Sequence, residues 1–398
     1  MDEKFQLCTD WVGDIPDSAS EAVSQPDVTI SNFQEGGSVL PNTTTDQLNL
    51  LSVERGSVSP KARPAKWLHL LSIDGGGVRG LSALCILRKL MEFIDPENPP
   101  KPCDYFDMIG GTSTGGLIAV MLGRLEMSVD ECIEQYLILQ DKLFRRSQHR
   151  PVTARSTVRP HYDHVALEQG VKDLLRSRGL AEDTLFRNTN EIPCKVFVCV
   201  TSAGSAMTKV LASYYRRRGS AEVYREAKIW EVVRATSAAS TFFEPVTIGR
   251  SGRRYLDGGT GANNPVFVLW REAYDTFCQS GRLEDDLNCL ISIGCGIKSF
   301  KPSGENDVGQ LTKTLAIIAT ETEETARRFL DSRPKLYDTG TYYRFSAPSV
   351  GDISIDRPEE KGVIFQLTDH YIDSKEVQDR MLLCIQKLVQ RVRTFWYH

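Results

Sequence analysis

Two closely spaced copies of one local plan restrict this chain to the α/β class more than any other feature: an apolar run, a glycine-dense turn, a helix. In the first copy, Leu68–Ile73 is expected as a strand and runs into Asp74-Gly75-Gly76-Gly77-Val78-Arg79-Gly80. The following helix puts Ala83, Ile86, Leu87, Leu90 and Ile94 on one face, and Pro96 ends it. In the second, residues 105–109 form the expected strand and Gly110-Gly111-Thr112-Ser113-Thr114-Gly115-Gly116 the turn. Leu117, Val120, Met121 and Leu125 then line one helix face. Ser128 with Glu131 three positions on has the pattern of a capping box. Further strands are expected at 195–201, Val246–Ile248, 254–256 and 289–293. A helix should open at Asn264-Pro265, and an amphipathic one should close the domain over 374–392.

Before this domain, residues 1–66 are rich in Ser, Thr, Asp, Gln and Pro and hold no sustained period, so they read as a disordered arm apart from a short apolar patch at 47–53. Residues 67–398 read as a single domain, with a motif-bearing core over about 68–300 and a closing segment at 301–398. With 41% hydrophobic and 25% charged residues, wholesale disorder and collagen-like repeats are both excluded. A net charge of -4 gives no reason to expect nucleic acid as a partner. The ten cysteines form no CxxC and no zinc-type spacing, no signal segment opens the chain, and no run approaches the roughly 18 apolar residues of a membrane span. A cytoplasmic protein is therefore expected, one that would meet any lipid peripherally, from the aqueous side, and no metal or cofactor.

Gly111-x-Ser113-x-Gly115 matches the nucleophile elbow, where a sharp strand-to-helix turn has no room for side chains beside the serine. Such a triplet arises by chance in a chain this long with a probability on the order of 0.1 to 0.2, so its placement between strand and helix is what gives it weight. Ser113 would then lie at a helix N-terminus, which favours a developing anion. Gly75-x-Gly77-x-x-Gly80 also fits a dinucleotide fingerprint, but the next strand that fold requires is replaced by Asp95-Pro96-Glu97-Asn98-Pro99-Pro100-Lys101-Pro102. The alternative is an oxyanion hole built from the N–H groups of Gly76, Gly77 and their neighbours. For the base, chain order leaves His370 and His398 among the six histidines, while Asp257 stands at an expected strand tip followed by Gly258-Gly259. An aspartate with a reference pKa near ~3.9 is a feeble base unless its surroundings raise that value.

Taken together, the segments 74–80, 111–116 and 257–259 resemble the patatin-like phospholipase family, of the calcium-independent phospholipase A2 type. Phe106-Asp107-Met108-Ile109, Ala235-Thr236-Ser237-Ala238-Ala239, Phe243-Glu244-Pro245 and Ala262-Asn263-Asn264-Pro265 agree with it too. The resemblance covers about 68–300, matches the closing segment less distinctively and does not extend to the arm. It implies a three-layer α/β/α fold with a mostly parallel central sheet and a Ser–Asp dyad at strand ends. Ser113 would be the nucleophile and Asp257 the base in the motif with Gly258 and Gly259. Gly75, Gly76, Gly77, Val78, Arg79 and Gly80 would form the oxyanion hole, and Gly111, Thr112, Thr114 and Gly115 the elbow. His370 is then not required.

The implied activity is calcium-independent hydrolysis of acyl-lipid esters at a membrane surface, of phospholipase A type. A neutral-lipid lipase or transacylase would use the same acyl-enzyme, a module switched by a regulatory partner or by homo-oligomerisation would use it on demand, and an inactive binding protein would not need the intact motifs. Two basic segments, 145–159 and Arg216-Arg217-Arg218, are candidates either for lipid phosphate contact or for ordinary solvated loops. Trp230, Phe242 and Phe243 are candidates for an acyl pocket or for core.

Overall fold

Strand β1 (Leu68–Ile73) is buried along its whole length, because it sits mid-sheet with parallel neighbours on both edges. The computed structural model describes residues 67–143, 164–187, 194–239, 243–278, 281–299 and 310–393. The arm at 1–66, the basic segment 145–159, Phe242 and His398 lie outside them. β1 is followed by helix α1 (Gly80–Ile94), the single helical turn α2 (Pro102–Tyr105) and strand β2 (Met108–Thr112). The expected second strand is thus displaced. Pro102, with no N–H to lose, starts a helical turn that takes in Tyr105, while pairing with neighbours on both edges holds Gly110, Gly111 and Thr112 in the sheet.

Helix α3 (Thr114–Ala119) continues into a π-helical turn at Val120–Arg124, and α4 (Val129–Leu143) follows. Ser128 and Glu131 exchange the two bonds of a capping box, with Ser128 N–H donating to Glu131 Oε2 at 2.8 Å and Glu131 N–H to Ser128 Oγ at 3.2 Å. Next come α5 (His164–Ser177), β3 (Lys195–Ser202), β4 (Thr208–Ala212), α6 (Ala221–Glu226), α7 (Ile229–Thr236), β5 (Val246–Ile248) and β6 (Arg253–Asp257). The chain closes through α8 (Gly259–Ala262), α9 (Val266–Phe277), α10 (Leu283–Asp286), β7 (Leu287–Ile293), α11 (Gln310–Asp331), α12 (Pro334–Asp338), β8 (Tyr342–Phe345), α13 (Lys361–Ile372) and α14 (Lys375–Arg393).

The sheet runs β5-β6-β3-β2-β1-β7-β8, with β4 also paired to β3. Neighbours pair in parallel from β3 through β2, β1 and β7 to β8, and antiparallel where β3 meets β4 and β6 and where β6 meets β5, so the sheet is mixed and largely parallel. Side-chain alternation feeds two cores. Val196, Val198 and Val200 of β3 join Leu71 and Ile73 of β1 in the core under α1, α4 and α7. Phe197 and Cys199 join Leu68 and Leu70 in the one under α9 and α11. Helices therefore flank both faces.

The pairing around β3 decides where chemistry can occur. On one edge, Cys199 and Val200 pair with Val210 and Lys209 of β4. On the other, β2 stops with Thr112 opposite Cys199, and β6 takes over with Asp257 opposite Val200. The strand ends at Thr112 and Asp257 therefore meet along one edge of β3, although 145 positions separate them in sequence.

Candidate active site

Ser113 bridges β2 and α3 with φ 54° and ψ -124°, in the left-handed region that non-glycine residues rarely occupy. Holding a serine there costs on the order of 1–3 kcal/mol, which the surroundings must offset. They do so by hydrogen bonds. Ser113 N–H donates to Thr236 Oγ1 at 2.9 Å, the Thr236 hydroxyl donates onward to the Cys199 carbonyl at 2.8 Å, and the Ser113 carbonyl accepts from Leu117 N–H at 3.0 Å. The turn is also too tight for side chains. A Cβ on Gly111 would lie 2.0 Å from the Gly115 carbonyl oxygen, and one on Gly115 2.3 Å from that of Ile73. Thr112 ties the turn to the β6 side, its hydroxyl donating to the Ala262 carbonyl at 2.6 Å.

Asp257 is buried at the tip of β6 and lines the same cleft as Ser113. Gly259 N–H donates to its Oδ1 at 2.7 Å, and its own N–H donates to the Ala238 carbonyl at 2.9 Å. Gly258 turns the chain away over the backbone of Cys199. Burial pushes the Asp257 carboxyl up to about 6, against the lowering pull of the Ser113 side chain and the Gly259 N–H. This carboxylate is therefore a far better base than a solvated one. His370 lies exposed on α13 and has no contact with Ser113 among the described residues.

The glycine loop 75–80 faces this pair, but most of its N–H groups are already used. Those of Gly75, Val78 and Arg79 donate to the carbonyls of Asn263, Ile355 and Gly76, and that of Gly80 to Gly77 and Val78. Of the six residues expected in an oxyanion hole, Gly76 and Gly77 are the two whose N–H groups have no acceptor among the described residues. A trans peptide points its N–H opposite to its carbonyl, so anchoring the carbonyl aims the donor. The Gly75 carbonyl accepts from Asn263 Nδ2 at 3.4 Å, which orients the Gly76 N–H; the Gly76 carbonyl accepts from Arg79 N at 3.2 Å and Nε at 3.3 Å, which orients that of Gly77. Gly77 has φ 55°, and a Cβ there would lie 2.1 Å from the Ile355 carbonyl oxygen.

Val78 and Arg79 thus support the loop rather than line it. Arg79 is buried and spans from Gly76 to the Gly351 carbonyl, 2.9 Å from Nη1. Thr114 Oγ1 and Tyr136 Oη both donate to the Gly77 carbonyl, at 3.2 and 2.5 Å. At the root of the loop, Asp74 receives Arg344 Nη2 on Oδ2 at 2.7 Å, and the same guanidinium contacts Glu323 at 2.5 Å. Burial lifts the Asp74 carboxyl to about 7 against the lowering pull of Arg344.

Leu117, Tyr136, Ala239, Phe243 and Ile355 surround Ser113 and Asp257 in an apolar cleft of about 60 Å3. Phe243 thus faces the site, whereas Trp230 packs at the core edge with Lys172 Nζ 4.5 Å from its ring centre. Arg216 is not a free surface charge, because it pairs with the buried Glu272. Thr236, Asn263, Tyr136 and Arg344 were not singled out as site residues. Thr236 and Asn263 lie in segments that carried the family resemblance; nothing in the sequence marks Tyr136 or Arg344.

The profile of the family described as "Patatin-like phospholipase" matches residues 71–270. The chain is 29% identical to the "Calcium-independent phospholipase A2-gamma" of Mus musculus over 82% of its length and 41% of that protein. It is 32% identical to the Homo sapiens protein of that name over 73% of its length and 36% of the relative. To the "Intracellular phospholipase A2" of Caenorhabditis elegans it is 27% identical over 85% of its length and 30% of that protein. The chain thus spans less than half the length of these relatives.

Proposed function

The chain belongs to the patatin-like phospholipase family, and from that premise we propose that it is a lipid acyl hydrolase with Ser113 as nucleophile and Asp257 as base. The observation that carries this reading is one cleft that brings together a serine held at φ 54° and a buried carboxyl whose pKa is lifted to about 6. Ser113 Oγ attacks the acyl carbonyl carbon while its proton passes to Asp257. The carbonyl oxygen becomes an oxyanion that the Gly76 and Gly77 N–H groups can receive, as can Thr114 N–H at the start of α3. Collapse breaks the ester bond, and the departing alkoxide of the lysolipid takes the proton from Asp257. Water then gives a proton to Asp257 and attacks the acyl-enzyme; the second collapse returns that proton to Ser113 Oγ and frees the fatty acid.

The apolar cleft suits an acyl chain, and the similarity to proteins named calcium-independent phospholipase A2-gamma favours phospholipid as substrate without calcium. All of this falls within 67–398, which we take as one catalytic domain. No helix among the described residues is long and apolar enough to cross a membrane, so substrate would be met at the lipid surface.

Release of fatty acid and lysolipid from mixed phospholipid vesicles tests the reading, with a calcium chelator present and with Ser113→Ala and Asp257→Asn alongside. Activity should survive the chelator and vanish in both variants. Activity retained in Asp257→Asn would exclude Asp257 as the base.

A further inference from the structure

A second cavity lies away from Ser113. It measures about 500 Å3, within the size range of small-molecule sites, and lies where β4, the turn at 214–220, α6 and the start of β6 converge. Its lining includes Lys209, Arg216, Arg218, Arg253 and Arg254 and contains no Asp or Glu. In a chain of net charge -4, five cations around one concavity are not the consequence of a basic composition.

Two of the five are balanced from outside the lining, Arg216 by Glu272 at 2.5 Å and Arg253 by Glu222 at 3.9 Å. Lys209, Arg218 and Arg254 have no acidic partner within 4.0 Å among the described residues. Like charges gathered over a concave surface repel one another and focus a positive potential, an arrangement that an anion relieves. Arginine forks match phosphate oxygens in particular. Beside them the exposed ring of Tyr215 stands edge-on to Tyr224, with centres 5.8 Å apart, and offers a surface to an apolar or planar portion of the ligand.

We infer that this cavity is a second binding site, separate from Ser113 and Asp257, for a phosphate-bearing ligand. The phosphate can come from a lipid headgroup at the membrane surface or from a soluble compound; the chemistry at the site is the same. The position also connects the two sites. Arg253 and Arg254 begin the strand that ends in Asp257, so a ligand held there sits about 10 Å along one β-strand from the dyad.

Binding is measured on the full chain carrying Ser113→Ala, which makes the result independent of the proposed hydrolysis. The probes are inorganic pyrophosphate by calorimetry, and flotation with phosphatidylcholine vesicles with and without phosphatidic acid. Lys209→Ala/Arg254→Ala is compared with Lys361→Ala/Lys375→Ala, which removes the same charge from α13 and α14. Saturable pyrophosphate binding, weakened about tenfold or more in the cavity variant and unchanged in the control, supports a soluble ligand. Flotation that requires phosphatidic acid and the cavity pair, without pyrophosphate binding, supports the headgroup. No saturable binding of either probe, or equal losses in cavity and control variants, overturns the proposal. Should the double variant melt early, Arg218→Ala, in a turn outside the sheet, serves as the cavity variant and is judged by the same outcomes.

Discussion

Asp257 has to be ionised to accept a proton from Ser113, yet its burial favours the neutral form. With the carboxyl lifted from 3.8 to about 6, the proposed reaction should show an acidic limb in kcat/KM centred near pH 6. Below it, activity should fall about tenfold per pH unit. A limb near pH 4 would mean that the carboxyl is not the titrating base. The same shift has a thermodynamic side. A carboxyl pKa that is higher folded than unfolded contributes stability that is present below the unfolded value and lost as pH rises through the folded one. Ionised Asp257 therefore costs stability, and the cost develops between 3.8 and about 6. Asp257→Asn should be more stable than the parent at neutral pH, by on the order of 3 kcal/mol, while having lost activity. Urea denaturation at about pH 7.5 and pH 4 checks this, with the difference expected to shrink at the lower pH. A variant no more stable at neutral pH would contradict the electrostatic account of the site.

At the scale of elements, the glycine loop depends on hydrogen bonds that fix its peptide planes. Arg79 is the longest of these braces, joining the Gly76 carbonyl to the Gly351 carbonyl next to β8. Replacing Arg79 with Ala keeps the backbone N–H bond to the Gly76 carbonyl but removes the Nε bond and the tie to Gly351, so the Gly76–Gly77 peptide is held less firmly and its donor aimed less well. The expected result is a fall in kcat of about tenfold with KM changed little, since the donors act where charge develops and are misaimed rather than removed. Steady-state kinetics on a soluble ester separates the two terms. A rise in KM at unchanged kcat would instead assign Arg79 to substrate binding.

Over the whole molecule, Arg344 joins parts that are remote in sequence. From β8 it contacts Asp74 at the end of β1 and Glu323 of α11, and it donates to Ser292 Oγ of β7 at 2.9 Å. Burial pulls its pKa down, but the carboxylates of Asp74 and Glu323 outweigh that effect and hold the guanidinium charged. Arg344→Ala should destabilise the fold by about 3 kcal/mol, because it leaves the buried Asp74 carboxyl without its counter-charge, while the half-exposed Glu323 turns to solvent. Urea denaturation at pH 7 measures the loss, and a change below about 1 kcal/mol would show that the residues around Asp74 compensate without it.

By itself, the sequence determined the class of fold and the strand–turn–helix units. Leu68–Ile73, Val246–Ile248 and the capping box at Ser128 are local patterns, set by side-chain polarity and backbone chemistry over a few residues. The motifs carrying Ser113 and Asp257 were legible for the same reason. Strands β4 and β8 were not, since four- and five-residue edge strands have too little pattern to stand out before their partners are known. The β2 boundary moved because neighbouring strands, rather than local propensity, hold Gly110 and Gly111 extended. Which loop N–H groups remain open, how Arg344 reaches Asp74, and why β6 resumes where β2 stops were settled only by tertiary structure. Each depends on partners dozens to hundreds of positions away, brought together by the pairing order of the sheet and by burial.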